Sequence, residues 1–128
     1  MNNNTGRKEG RKDVLKEKSF VFAVRIVKFA SWLRTERNEY VLSKQILRSG
    51  TAVGALISEA AYGQSKADFA ARMTIALKEA NETIYWIKLL HASEIIDAQM
   101  AESLSADAEE LLAMLISTVK TAKKVNND

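Results

Sequence analysis

Cysteine and proline are both missing from this 128-residue chain. Without cysteine there is no disulfide scaffold, no thiol nucleophile and no cysteine-bound zinc. Glycine is scarce as well, occurring only at Gly6, Gly10, Gly50, Gly54 and Gly63. Turns draw on proline and glycine, so a sandwich or barrel of many short strands is poorly served by this composition. A few long helices are well served. Histidine occurs once, at His91, which rules out a multi-histidine metal site. Long apolar runs are also missing. The most apolar stretch, 19–33, is interrupted by Arg25 and Lys28. It is shorter than the ~20 residues a membrane-spanning helix requires. The polar, charged beginning of the chain does not read as a secretion signal, so the expected location is cytoplasmic, without a membrane partner.

Enough apolar material is present, at 47% of residues, for a single hydrophobic core. The formal net charge of +3 is unevenly spread. Residues 1–18 carry +3 and residues 19–50 carry +4, whereas 91–128 carry −4. A basic first third suits a polyanion, because phosphate contacts release counterions. The plainer reading is that these side chains only solvate helix faces. Arg25, Lys28, Arg34, Arg37, Lys44 and Arg48 are the ordered basic candidates for phosphate.

The periodicity predicts an all-α chain with a flexible basic leader over 1–18, a four-helix bundle over 19–124 and a short polar tail over 125–128. The first helix is expected from Ser19, as N-cap, to about Arg37. Phe22, Ile26, Phe29 and Leu33 fall on one stripe at ~100° per residue. Phe20, Val24 and Val27 form a second stripe about 180° away. A bundle helix needs one apolar face, so the second stripe is read as a subunit interface, the plainer alternative being a wide intramolecular core.

The second helix is expected from about Val41 to Tyr62, with Leu42, Ile46, Ser49, Val53, Leu56 and Ala60 at heptad spacing. Gly50 and Gly54 leave a thin surface that another helix can approach. Gly63 is read as a helix-terminating C′ residue, and Ser65 with Asp68 as a capping pair for the third helix. That helix runs to about His91, with Phe69, Met73, Ala76, Ala80, Ile84 and Ile87 inward. The fourth starts after Asp97 as cap and places Leu104, Ala108, Leu111, Leu115, Val119 and Ala122 inward. Short connections make this an antiparallel, up-down-up-down bundle. The register across the turn at residue 63 or 64 predicts contacts of Arg48 with Glu79 or Glu82, and of Glu59 with Arg72.

No catalytic motif accompanies this pattern: there is no phosphate loop, nucleophile elbow or paired-histidine zinc motif. His91 has Lys88, not Glu, three residues before it, so a bundle di-metal pair is lacking. It is read as a packing or capping residue. Trp32, Tyr40, Tyr62, Tyr85 and Trp86 are scattered over three helices and read as packing groups, not a base-stacking platform. No cofactor is expected, and no enzymatic activity.

Two runs of sequence carry a family resemblance. One is Gln45-Ile46-Leu47-Arg48-Ser49-Gly50-Thr51-Ala52-Val53-Gly54-Ala55 followed by Glu59-Ala60. The other is Ser65-Lys66-Ala67-Asp68-Phe69, then Ala76-Leu77-Lys78-Glu79-Ala80, Glu82-Thr83 and Tyr85-Trp86. With the Ser19-Phe20 start they resemble the four-helix-bundle proteins encoded in 23S ribosomal-RNA intervening sequences, over about Lys18 to Lys124. The resemblance implies a ring-shaped homopentamer. It also implies similarity to accessory proteins of diversity-generating retroelements, which bind nucleic acid and a reverse transcriptase. The family often has asparagine after Gly-Ala, where this chain has Leu56. Two functions follow as expectations. One is a non-catalytic oligomer that binds RNA or DNA. The other is a scaffold or accessory subunit docking another protein.

Overall fold

A computed structural model describes the backbone over residues 3–127 and the side chains over 14–124. Four helices make up the architecture: α1 (Asn3–Glu36), α2 (Leu42–Ala60), α3 (Lys66–Ala92) and α4 (Ala98–Asn127). No strand occurs among the described residues. The expected inward stripes are those that pack. Phe22, Ile26, Phe29 and Leu33 of α1 meet Ile46 and Val53 of α2, Met73, Ala76, Ala80, Ile84 and Ile87 of α3, and Leu104, Ala108, Leu111, Leu115 and Val119 of α4 in one core. Packing is closest between consecutive helices, α1 and α4 meet along a sparser fourth seam, and the diagonal pairs α1–α3 and α2–α4 make no close backbone approach.

Several boundaries differ from the sequence expectation. The leader begins outside the described residues, but from Asn3 onward it belongs to α1. Ser19 is therefore not an N-cap. It is wholly buried inside the helix, and its hydroxyl donates back to the Lys16 carbonyl at 2.9 Å. Leu15 explains the extension in part: it is an apolar residue one more turn back on the same stripe, and it is buried in the core. At the other end α4 continues to Asn127, through most of the expected tail, and Asp128 lies outside the described residues. On α2 the buried residue is Ile57, while Leu56 is only half-buried against the core. A 3.6-residue helix drifts from a strict seven-residue repeat, which moves the inward position on by one.

The helix ends are set by specific groups. The Glu39 carboxylate accepts from the backbone N–H groups of Val41 (3.1 Å), Leu42 (2.9 Å) and Ser43 (2.7 Å), the donors left free at the start of α2. Ser65 caps α3 as expected, accepting from the Asp68 N–H at 3.0 Å. Asp97 caps α4, accepting from the Met100 N–H at 2.8 Å. Gly63 is not in the left-handed region, which Asn38 (φ 51°) and Glu94 (φ 61°) occupy instead. Glu94 closes α3 as the C′ residue: its N–H donates to the His91 carbonyl, and the Ile95 N–H to the Leu90 carbonyl, each at 3.0 Å. What Gly63 supplies is room, since a Cβ there would meet Asp68 Oδ2 at 3.0 Å.

Candidate nucleic-acid and assembly surfaces

α2 packs between α1 and α3. Its two interior glycines face α1. A Cβ on Gly54 would come within 3.2 Å of the Ser19 carbonyl oxygen, so α1 lies against bare backbone. On the other flank α2 meets α3 through a buried hydroxyl pair. Thr83 Oγ1 lies 2.9 Å from Ser49 Oγ and 2.8 Å from the Glu79 carbonyl. Each hydroxyl has one proton, so Thr83 donates to the carbonyl and accepts from Ser49. Nearer the surface, Arg48 donates to Glu79 Oε2 at 3.1 Å and also to Glu82. Arg72 donates to Glu59 at 3.0 Å. These are the contacts the register predicted.

That pairing bears on the phosphate candidates, and the structure divides the six. Arg48 is held between two carboxylates. Arg25 donates to Asp107 Oδ2 at 2.5 Å, to the Ser103 carbonyl at 3.2 Å and to Ser103 Oγ at 2.7 Å. Arg37 donates from Nε to the Ile95 carbonyl at 3.1 Å, and its guanidinium stands 4.9 Å over the Trp32 ring. Lys28, Arg34 and Lys44 have no ion-pair or hydrogen-bond partner among the described residues. Lys28 and Lys44 are exposed and Arg34 is half-buried. The six are thus not brought together into one cluster. Lys18 was not among the candidates, having been assigned to the leader. It forms an ion pair with Glu110. Its pKa is raised above the ordinary 10.5 by the hydrogen bond to Glu110 and by that carboxylate's charge.

The second stripe of α1 is exposed in the single chain: Phe20 is 69% accessible, Val24 41% and Val27 50%. Val21, at 62%, widens it. Its signal was available in the sequence, one position beside Phe20 on the same outward side. Ser43 Oγ and Trp86 Nε1 are buried without a hydrogen-bond partner among the described residues, which sequence reasoning did not anticipate.

His91 is exposed at the end of α3 and not packed on its core stripe. It borders a shallow depression with Arg37, Glu94 and Asp97. Among the described residues no group of three or more His, Asp or Glu side chains could hold a metal ion. No described helix is long and apolar enough to cross a membrane.

The helix-packing motifs on α2 and α3 lie inside the segment that decides the family. Residues 11–117 match the family described as 23S rRNA-intervening sequence protein. The chain belongs to this family. It is also similar to a crystal structure from Bacteroides thetaiotaomicron, described as a protein of unknown function from the S23 ribosomal protein family. The two share 51% sequence identity with a TM-score of 0.85, over 86% of this chain and 98% of the other. No curated protein matches the chain. Within the family motifs, Gly50 and Gly54 admit α1, Ser49 and Thr83 bond across α2 and α3, and Arg48 joins Glu79 and Glu82.

Proposed function

We propose that this chain is a non-catalytic, antiparallel up-down-up-down bundle that assembles into a homopentameric ring and binds nucleic acid, RNA or DNA, through cations of α1 and the start of α2, in the cytoplasm. The antiparallel order is supported by the α2–α3 links, which close toward the turn: Ser49 with Thr83, then Glu59 with Arg72. The observation that carries the binding reading is the set of cations with no partner among the described residues. At 100° per residue Lys28 falls between Val24 and Val21 of the exposed apolar stripe, and Arg34 falls at its other edge beside Val27. Lys44 stands on the first turn of α2. A ring repeats this set in every subunit, so weak phosphate contacts add through multivalency.

The test is titration of a ribosomal-RNA fragment at several salt concentrations. Binding should weaken steeply with salt. Lys28→Ala/Arg34→Ala/Lys44→Ala should flatten the slope by about 0.7–0.9 for each phosphate no longer neutralised. Salt-independent binding would count against the reading. Light scattering tests the assembly. Phe20→Glu/Val24→Glu should lower the mass in solution if the stripe joins copies of the chain.

A second reading has its own observation. The stripe of Phe20, Val21, Val24 and Val27 also suits docking to another protein, in the manner of the retroelement accessory proteins that the family resembles. Capture of one defined protein after nuclease treatment, abolished in Phe20→Glu/Val24→Glu, separates it from the first.

A further inference from the structure

Lys18 and Arg25 stand two turns apart on the edge of α1 that faces α4, about 10.5 Å along the axis. Both are engaged by α4. Glu110 pairs with Lys18, and Asp107 with Arg25, whose second Nη donates to the Ser103 hydroxyl. The side chains remain open to water, at 48% and 52% for the first pair and 37% and 49% for the second. Ion pairs this exposed belong to the weak, screened class. They also cross the sparsest of the four seams, so parting them disturbs no closely packed interface. A phosphate diester offers the arginine fork the same two-oxygen geometry as a carboxylate. It therefore competes for the same donors, and the displaced carboxylates then repel it.

We propose that the α1–α4 edge is a phosphate-binding surface for a nucleic-acid backbone, with Lys18 and Arg25 as its cations and Asp107 and Glu110 as built-in competitors that hold its affinity down. This rests on the nucleic-acid reading above and adds, to the unpaired cations that carry it, two cations held in ion pairs. It also assigns a role to the acidic character of α4, which otherwise opposes polyanion binding.

The experiment uses the full chain and a single-stranded oligonucleotide, as RNA and as DNA of the same sequence, titrated by fluorescence anisotropy over a salt series. Asp107→Asn/Glu110→Gln is compared with the charge-matched Glu102→Gln/Glu109→Gln. Those two acids are exposed on α4 and have no ion-pair partner among the described residues. The first variant should bind about tenfold more tightly at low salt. Its log K against log salt should be steeper by about 1.4, or 0.7 for each further phosphate neutralised. The control should keep the wild-type slope. Adding Lys18→Gln/Arg25→Gln to the first variant should remove the tightening, which ties it to these two cations. Tighter binding of both oligonucleotides assigns the backbone phosphate as ligand, and tighter binding of RNA alone adds the 2′-hydroxyl.

Equal tightening in the first variant and the control would overturn the proposal, since net charge alone would then account for it. An unchanged first variant, with wild-type binding still abolished in Lys28→Ala/Arg34→Ala/Lys44→Ala, would overturn the masking and leave the binding reading intact. If no form binds, both fall. Binding by the first variant alone, with none by the wild type or the control, would support the masking in its strongest form.

Discussion

Gly50 of α2 is seated directly on Ile26 of α1: a Cβ at position 50 would lie 2.8 Å from Ile26 Cγ2 and 2.9 Å from Cγ1. Both atoms are bonded directly to the branched Cβ, itself at 3.2 Å, of a fully buried side chain, so neither can swing away freely. Relief would require moving the helix or the core around it.

Gly50→Ala is therefore expected to destabilise the fold. Overpacking costs about 1–3 kcal/mol, set against ~1 kcal/mol gained in helix propensity. Urea unfolding measures the net loss. In an Ile26→Ala background both contacts under 3 Å are removed and only the Cβ remains, at 3.2 Å, so Gly50→Ala should turn stabilising. The sign reversal distinguishes the close approach from a general intolerance of substitution in α2.

The Ser49–Thr83 pair predicts a different pattern. Both residues are fully buried. Thr83→Val leaves the Ser49 hydroxyl with only a long, 3.5 Å contact to the Ile46 carbonyl, at a cost of about 1–3 kcal/mol. Removing both hydroxyls, in Ser49→Ala/Thr83→Val, should cost less than the single change, because no polar group is then left stranded. Denaturant midpoints of the four proteins in the cycle give the coupling.

Glu39 is expected to matter more than its position in a connection implies. Its carboxylate meets three consecutive N–H groups at the positive end of α2. Glu39→Ala should lower stability by ~1 kcal/mol, and Glu39→Gln by less. Hydrogen exchange at Leu42 and Ser43 should speed up in both variants.

Lys18 gives a prediction in pH. Its raised pKa means that the folded chain holds the ammonium proton more tightly than the unfolded chain. The pair's contribution is thus present at neutral pH and fades as pH climbs beyond the ordinary value of 10.5 toward the raised one. The stability difference between wild type and Lys18→Met should be constant from neutral to mildly alkaline pH, then shrink in strong alkali. A difference that grows in alkali would contradict the assignment.

The α2–α3 contacts were legible in the sequence because two strong stripes meet across a short turn. Arg48 with Glu79 and Glu82, and Glu59 with Arg72, follow from counting outward from that turn. The start of α1 was not legible, because its first turns are polar and Leu15 alone is too little apolar signal to extend the stripe. The end of α2 misled for another reason: glycine after a helix commonly takes the left-handed conformation, but Gly63 is needed for clearance beside Asp68. The phosphate candidates were identified only as a group. Whether an arginine is paired depends on what stands across the seam, and the α1–α4 seam is set by three connections together. Arg25 therefore looked free in the sequence and is held by Asp107 in the fold.

Close packing in this chain lies almost wholly between helices that follow one another, α1 on α2, α2 on α3 and α3 on α4. Contacts between chain neighbours need only short loops to close, which is the topology of rapid folding. Each consecutive helix pair can form as soon as its second helix has been synthesised. The joining of first helix to last is then the one long-range event, and there the exposed pairs Lys18–Glu110 and Arg25–Asp107 supplement the shared core. Raised ionic strength should leave the folding rate nearly untouched and speed the opening of that final closure.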